Sequence, residues 1–130
     1  MQDSLIKYIG IPYEKLDCYD LVKLFYVNEL KVELPDLTYT RPENRDLRGK
    51  KNDQDEMIKL VDDQIGFFQK VTTPEFGDII LIRIMGLPSH VGVYLGGRKM
   101  LHTREGSGAV IDSVDKWQKR IIGYYKYGTV

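Results

Sequence analysis

Apolar positions along the chain follow a helical period first and a strand alternation afterwards. Cys18, Leu21, Val22 and Phe25 recur at spacings of three and four, with Leu24 and Tyr26 beside them, which predicts an amphipathic helix. Asp17 is a good N-cap and Asp20 falls at N3, so the helix starts within a residue of Cys18; Pro35 ends it at the latest. Ahead of it, Leu5, Ile6 and Ile9 suit a short helix or lead-in, and Pro12 biases Ile11 away from helix. A second helix is expected over residues 52–66, with Met57, Leu60, Val61 and Ile65 on one face, Asn52 or Asp53 as cap and Gly66 as its close. Residues 36–52 are polar and aperiodic and read as a long surface loop.

From Gly77 the period becomes that of strands. "DIILIRIM" is apolar on both faces except at Arg83, as a largely buried strand requires. "SHVGVYL" and "RKMLHTRE" alternate on either side of Gly96-Gly97, which predicts a hairpin. "AVIDSV" and "RIIGYYKYG" add one or two more strands, with Trp117 between them. Helices followed by an antiparallel meander give an α+β fold, and with no linker or internal repeat the chain reads as a single domain over residues 1–130.

Composition narrows the class. At 130 residues, 42% hydrophobic and 29% charged, the chain is long enough to bury a core. Its 19 basic side chains are balanced by 19 acidic ones, so the basic excess of a nucleic-acid binder is missing. No basic amphipathic helix marks a membrane-surface protein, and no apolar run is long enough to span a bilayer. "MQDSLIKYIG" has no basic segment followed by a long apolar one, so no secretory signal is expected. The lone Cys18 excludes an internal disulfide.

Candidate chemistry rests on Cys18 and the two histidines, His90 and His102. A two-residue hairpin loop would set the two imidazoles on opposite faces. A three-residue loop would pair His102 with Gly92 and put His90, Gly92, His102 and Arg104 on one face, the histidines roughly 7–8 Å apart at the backbone. Parity alone does not choose. A zinc site is a further possibility for Cys18, His90 and His102, yet their spacing matches no compact metal motif and a fourth ligand is not evident. A lone cysteine is more often inert core than nucleophile, so spacing leaves both readings open.

The motifs go further. "DCYDLV" (residues 17–22), "GDIILIRIMGLPSHVGVYLGG" (residues 77–97), His102 in "MLHTREGSGAV" and the Pro12-Tyr13 pair resemble, in order, the hallmarks of the NlpC/P60 family of papain-like cysteine peptidases. The resemblance implies a papain-like fold with N-terminal helices packed on a central antiparallel sheet. It implies Cys18, His90 and His102 as catalytic residues, with Tyr13 and Asp17 in oxyanion or substrate-positioning roles. No cofactor or metal is implied. The substrate would be a peptidoglycan stem peptide, with the bond between D-glutamate and the diamino acid favoured.

"DCYDLVKLFYVNELKVELPDL" and "HVGVYLGGRKMLHTREGSGAVIDSV" are similar to the small bacteriophage-tail members of the family. That likeness implies a virion-borne enzyme acting at the cell wall, with phage tail-tip proteins as partners. Alternatives are a structural tail-tip protein that keeps the fold, or an amidase or acyltransferase of the same superfamily. Two features depart from the family pattern: Asp20 stands where a glycine is usual, and the stretch from Tyr13 to Cys18 is short. A carboxylate at residue 20 opposes the helix N-terminus in stabilising a thiolate. The expected chemistry is a thiolate–imidazolium pair between Cys18 and His90, oriented by His102, with Arg104 and Glu105 as a surface pair.

Overall fold

The computed structural model describes residues 2–34, 68–84 and 87–127, and the expected loop 36–52 and second helix 52–66 lie outside the described residues. A 3-10 helix over Gln2–Tyr8 leads to α1, Cys18–Phe25. Six strands follow: β1 Phe68–Val71, β2 Ile79–Ile84, β3 Leu87–Gly96, β4 Lys99–Arg104, β5 Gly108–Ser113 and β6 Ile121–Tyr127. A short helix α2, Val114–Trp117, separates β5 from β6. All pairings are antiparallel, in the order β1-β6-β2-β3-β4-β5. The architecture is α+β, as expected, but the meander holds only from β2 to β5. β6 returns across the sheet to pair with β2, and the unanticipated β1 adds to its far side, because "FQKV" is too short to display an alternation.

Local sequence explains the helices. Asp17 caps α1, its Oδ1 accepting from the Asp20 N–H at 3.0 Å. The last turn widens into a π-helical segment, Tyr26–Leu30, and Lys31 in the left-handed region (φ 59°) closes it short of Pro35. In the leading 3-10 helix, residues three apart share a face. Leu5 and Tyr8 are therefore buried, whereas Ile6 and Ile9 are exposed.

The sheet has two unlike faces. Ile79, Leu81, Val91, Val93, Leu101 and Ala109 meet Leu21, Val22 and Phe25 of α1 in the larger core. On the reverse, Ile80, Ile82 and Met100 are covered by Val114 and Trp117 of α2. Two ties fix α1 relative to the sheet. The Tyr26 hydroxyl donates to the Gly77 carbonyl at 2.5 Å, and the neighbouring buried Asp78 accepts from the Glu75 N–H at 2.7 Å, so the Gly77-Asp78 pair anchors the exit of α1 to the start of β2. Ahead of α1, the Gly10 N–H donates to Ala109 O at 2.8 Å and the Ala109 N–H to Ile11 O at 2.9 Å, holding the approach to Cys18 on β5.

Candidate active site

Alternation of backbone groups along β3 puts Val91 beside Cys18. Tyr94 turns its N–H and C=O toward the start of β2, bonding Asp78 O and the Gly77 N–H at 2.8 Å each. Val93 and Val91 therefore point the other way, toward β4. The β3–β4 pairs run from Gly96–Lys99 through Tyr94–Met100 to Val93–Leu101. The backbone N–H of Val91, next in that series, favours the Cys18 thiolate, as does that of Tyr19. The start of α1 thus lies beside Val91, the residue that follows His90.

The hairpin resolves the histidine parity. Gly97 and Arg98 form the tip, both at φ 60°, and Gly96 at φ 87° precedes a bulge that shifts the register by one residue. The loop is thus two residues long, yet from Tyr94–Met100 inward the register is that of the three-residue alternative, because the bulge supplies the extra residue. His90 and His102 share a face, and His90 Nε2 lies 2.9 Å from His102 Nδ1. Glycine at 92 permits the approach: a Cβ there would stand 3.2 Å from His102 Cβ and 3.1 Å from the Leu101 carbonyl.

Behind the histidines lies a carboxylate that sequence reading missed. His102 Nε2 is 3.3 Å from Asp112 Oδ2, which also accepts from Trp117 Nε1 at 2.9 Å. Asp112 Oδ1 accepts from the Ser113 N–H at 2.9 Å. A lone acid within the apolar "AVIDSV" was the available signal; only the register, with His102 opposite Val110, makes Asp112 its diagonal neighbour. Trp117 walls the site, stacked with His90 at 6.3 Å between centroids and edge-on to His102 at 5.1 Å. Arg104 and Arg120 lie over that indole, at 5.1 and 5.4 Å from its centroid. Arg104 therefore belongs to the rim of this site, which its expected role as the surface partner of Glu105 did not anticipate.

Electrostatics favour neutral groups in the substrate-free site. Burial pushes the Cys18 thiol up to about 12, helped by the Asp17 charge and less by Asp20, against the two backbone hydrogen bonds. Of the two carboxylates, it is Asp17 rather than Asp20 that opposes the thiolate more. Burial also brings His90 down to about 3, with His102 and Arg104 acting in the same sense. His102 is lowered by burial too, opposed by its bond to Asp112. Burial raises Asp112, but the Trp117, His102 and Ser113 bonds hold it below the usual carboxylate range. Thiolate at Cys18 and imidazolium at His90 are thus each costly alone.

Asp17 is buried as the cap of α1, its Oδ1 accepting a first-turn donor, the Asp20 N–H. Tyr13 is half-buried in the turn before α1, its carbonyl accepting from the Leu16 N–H at 3.2 Å. Among the described residues, no helix is long and apolar enough to cross a membrane.

The comparisons with known proteins agree on one family. The model of the NlpC/P60 family matches residues 6–126. A curated relative from Escherichia coli strain K12, a murein DD-endopeptidase MepS/murein LD-carboxypeptidase, is 28% identical over 113 residues, which is 85% of this chain and 49% of that protein. The same identity holds for its counterpart in Escherichia coli O157:H7, so the chain spans about half the length of the curated relatives it matches. Among solved structures, the NlpC/p60 domain of the peptidoglycan hydrolase SagA is similar with a TM-score of 0.58 at 19% identity, covering 93% of this chain and 91% of that one. A lipoprotein-like member of the family from Staphylococcus aureus Mu50 gives a TM-score of 0.61 at 21% identity, covering 99% of this chain and 40% of the other. At these identities the structural likeness is one of fold.

Proposed function

From membership of the NlpC/P60 family, to which this chain belongs, we propose that it hydrolyses an amide bond in peptidoglycan with Cys18 as nucleophile. One observation carries the reading: the Val91 backbone favours the Cys18 thiolate, and the adjoining His90 is joined to His102 at 2.9 Å. The relatives named as murein endopeptidase and peptidoglycan hydrolase support the substrate class.

In the proposed cycle His90 removes the thiol proton as sulfur attacks the amide carbonyl, so charge is created only as the two groups can share it. With Nε2 engaged by His102, Nδ1 is the nitrogen left for that proton. The oxyanion is received at the start of α1, where the Cys18 N–H has no helical partner. His90 then protonates the leaving amine, and water releases the acyl group. Tyr13 is assigned to substrate positioning.

The bond between D-glutamate and the diamino acid is the proposed target, and the DD bond in the relatives' name is its competitor. Carriage on a phage tail, in contact with tail-tip proteins, is the proposed route to the wall; it draws on the likeness of the Cys18 helix and the hairpin to tail-associated sequences. A second reading, a tail-tip protein that keeps the fold without turnover, is favoured by a thiol only 4% exposed and pushed up to about 12.

Digestion of purified peptidoglycan with mass spectrometry of the products separates these readings. Release of peptides ending in D-glutamate by the wild type, abolished in Cys18→Ala, is the expected result. D,D-cleaved fragments would move the target bond, and no release by the wild type would favour the structural reading.

A further inference from the structure

The polar chain His90–His102–Asp112 has a direction, and Asp112 sets it. A carboxylate only accepts hydrogen bonds. Its Oδ2 faces His102 Nε2 at 3.3 Å and Trp117 Nε1 at 2.9 Å, while Oδ1 receives the Ser113 N–H at 2.9 Å. Lys116 Nζ stands 3.6 Å from Oδ1, so cationic and N–H groups surround the carboxylate and keep it ionised. His102 must then carry its proton on Nε2, which leaves Nδ1 as an acceptor. His90 Nε2 lies 2.9 Å from that acceptor and must be the donor. The remaining nitrogen of His90, Nδ1, is thereby left unprotonated. Reversal at the carboxylate would reverse both rings.

We propose that Asp112 is a positioning residue that fixes the tautomers of both imidazoles, presenting the basic Nδ1 of His90 to Cys18. The histidine pair alone has no such preference, because either ring can donate to the other. Asp112 touches no reacting atom and acts through His102. Trp117 and Ser113 act one step further out: their N–H groups seat the carboxylate so that one oxygen faces His102.

Asp112→Asn is the discriminating change. With its amide oxygen toward Ser113, the NH₂ faces both Trp117 and His102. His102 must then accept at Nε2, and His90 is left with a proton on Nδ1, the nitrogen proposed as the base. With the amide the other way round, the NH₂ confronts the Ser113 N–H. Neither orientation satisfies all three donors.

The test is ring-nitrogen NMR on the full chain labelled at its two histidines, at pH 7.5, with His102→Gln providing the assignment. Expected for the wild type are two neutral rings with a bound proton at Nε2 and an unprotonated Nδ1. A proton on Nδ1 of either ring in the wild type overturns the proposal outright, whether or not any variant folds. In Asp112→Asn, whose amide can face His102 with either end, the expected result is a His102 proton divided between Nδ1 and Nε2; a tautomer left wholly at Nε2 in a folded variant overturns the proposal equally. Asp112→Glu, which keeps an acceptor-only group, should restore the wild-type pattern.

The kinetic arm rests on the peptidase reading. There kcat for stem-peptide cleavage should fall in Asp112→Asn at unchanged KM, in proportion to the fraction of His90 left with its proton on Nδ1, as when a triad base is in the wrong tautomer. The NMR arm needs no turnover, so its failure is distinguishable from failure of the peptidase reading.

Discussion

The two faces of the sheet solve different problems with the same strands. Toward α1, alternate side chains of β2, β3 and β4 are aliphatic and meet Phe25 and Val22, and any close-packed arrangement of similar volume would serve. Toward α2, the intervening positions hold His90, Gly92 and His102, and each depends on particular neighbouring atoms. The first face holds the fold by area. The second holds a set of hydrogen bonds by register. The comparison predicts that damage on the α1 side appears first as lost stability, and damage on the histidine side first as lost chemistry.

Cys18→Ala tests the sharpest version. Peptide release from peptidoglycan should fall by about 10³-fold or more, while the midpoint of chemical unfolding moves little, since only one buried sulfur atom is removed. A variant with full activity would end the assignment of Cys18 as nucleophile. Phe25→Ala is its mirror image. Phe25 is fully buried and its ring contacts Tyr8 and Phe76 at 5.9 and 5.6 Å. Its truncation should cost about 3–5 kcal/mol of stability by denaturant titration. Any protein that remains folded should turn over normally; a slow but fully stable variant would dissolve the division between faces.

Gly92→Ala probes where the faces meet. The added methyl would crowd backbone and the His102 Cβ, which strand geometry holds in place. The expected cost is about 1–3 kcal/mol, with the pairing of the imidazoles disturbed beyond that. Loss of activity should therefore exceed what the unfolded fraction explains, and strict proportionality between the two would count against register as the controlling feature.

How legible this was from sequence follows the same division. α1, its Asp17 cap, the hairpin and β2 could all be read because each declares itself within a few residues, by period or by a turn. β1 could not, being four residues long, nor could the return of β6 to β2, since nothing local in "RIIGYYKYG" names its partner. Cys18, His90 and His102 were found by motif. The facing of the rings was undecidable until the bulge beside Gly96 fixed the register. Asp112 and Trp117 stayed hidden because they matter only through contacts across strands, and the Val91 backbone's support of the Cys18 thiolate because it too joins residues distant in sequence.

Titration offers a broader test of the polar face. The native His90 refuses a proton until about pH 3, whereas the unfolded chain binds one near 6.5. Its burial as a neutral ring therefore contributes full stability above about 6.5, progressively lost as pH falls toward 3; the lowered His102 acts in the same direction. Each such proton gives a slope of about 1.4 kcal/mol per pH unit within that window. At the alkaline end the sign reverses, because native Cys18 keeps its proton to about 12 and the unfolded thiol releases it near 9. Thermal midpoints should thus plateau between about 6.5 and 9. His90→Gln should flatten the acid limb, and an acid limb of unchanged slope in that variant would mean His90 is not the group responsible.

The smallest expected effect separates two roles of one residue. Asp17 caps α1 through its bond to the Asp20 N–H, and its charge is the larger of the two carboxylate contributions that raise the Cys18 thiol. Asparagine caps a helix about as well as aspartate, so Asp17→Asn should change stability by only about 0.5 kcal/mol. It removes the charge, however, so the thiolate should become easier to form. Alkylation of Cys18 by iodoacetamide, followed across pH, should shift its midpoint downward, while Asp20→Asn should produce a smaller shift because Asp20 contributes less. If Asp20→Asn gave the larger shift, the family-atypical carboxylate would be the one governing the nucleophile, and the helix cap would be structural alone.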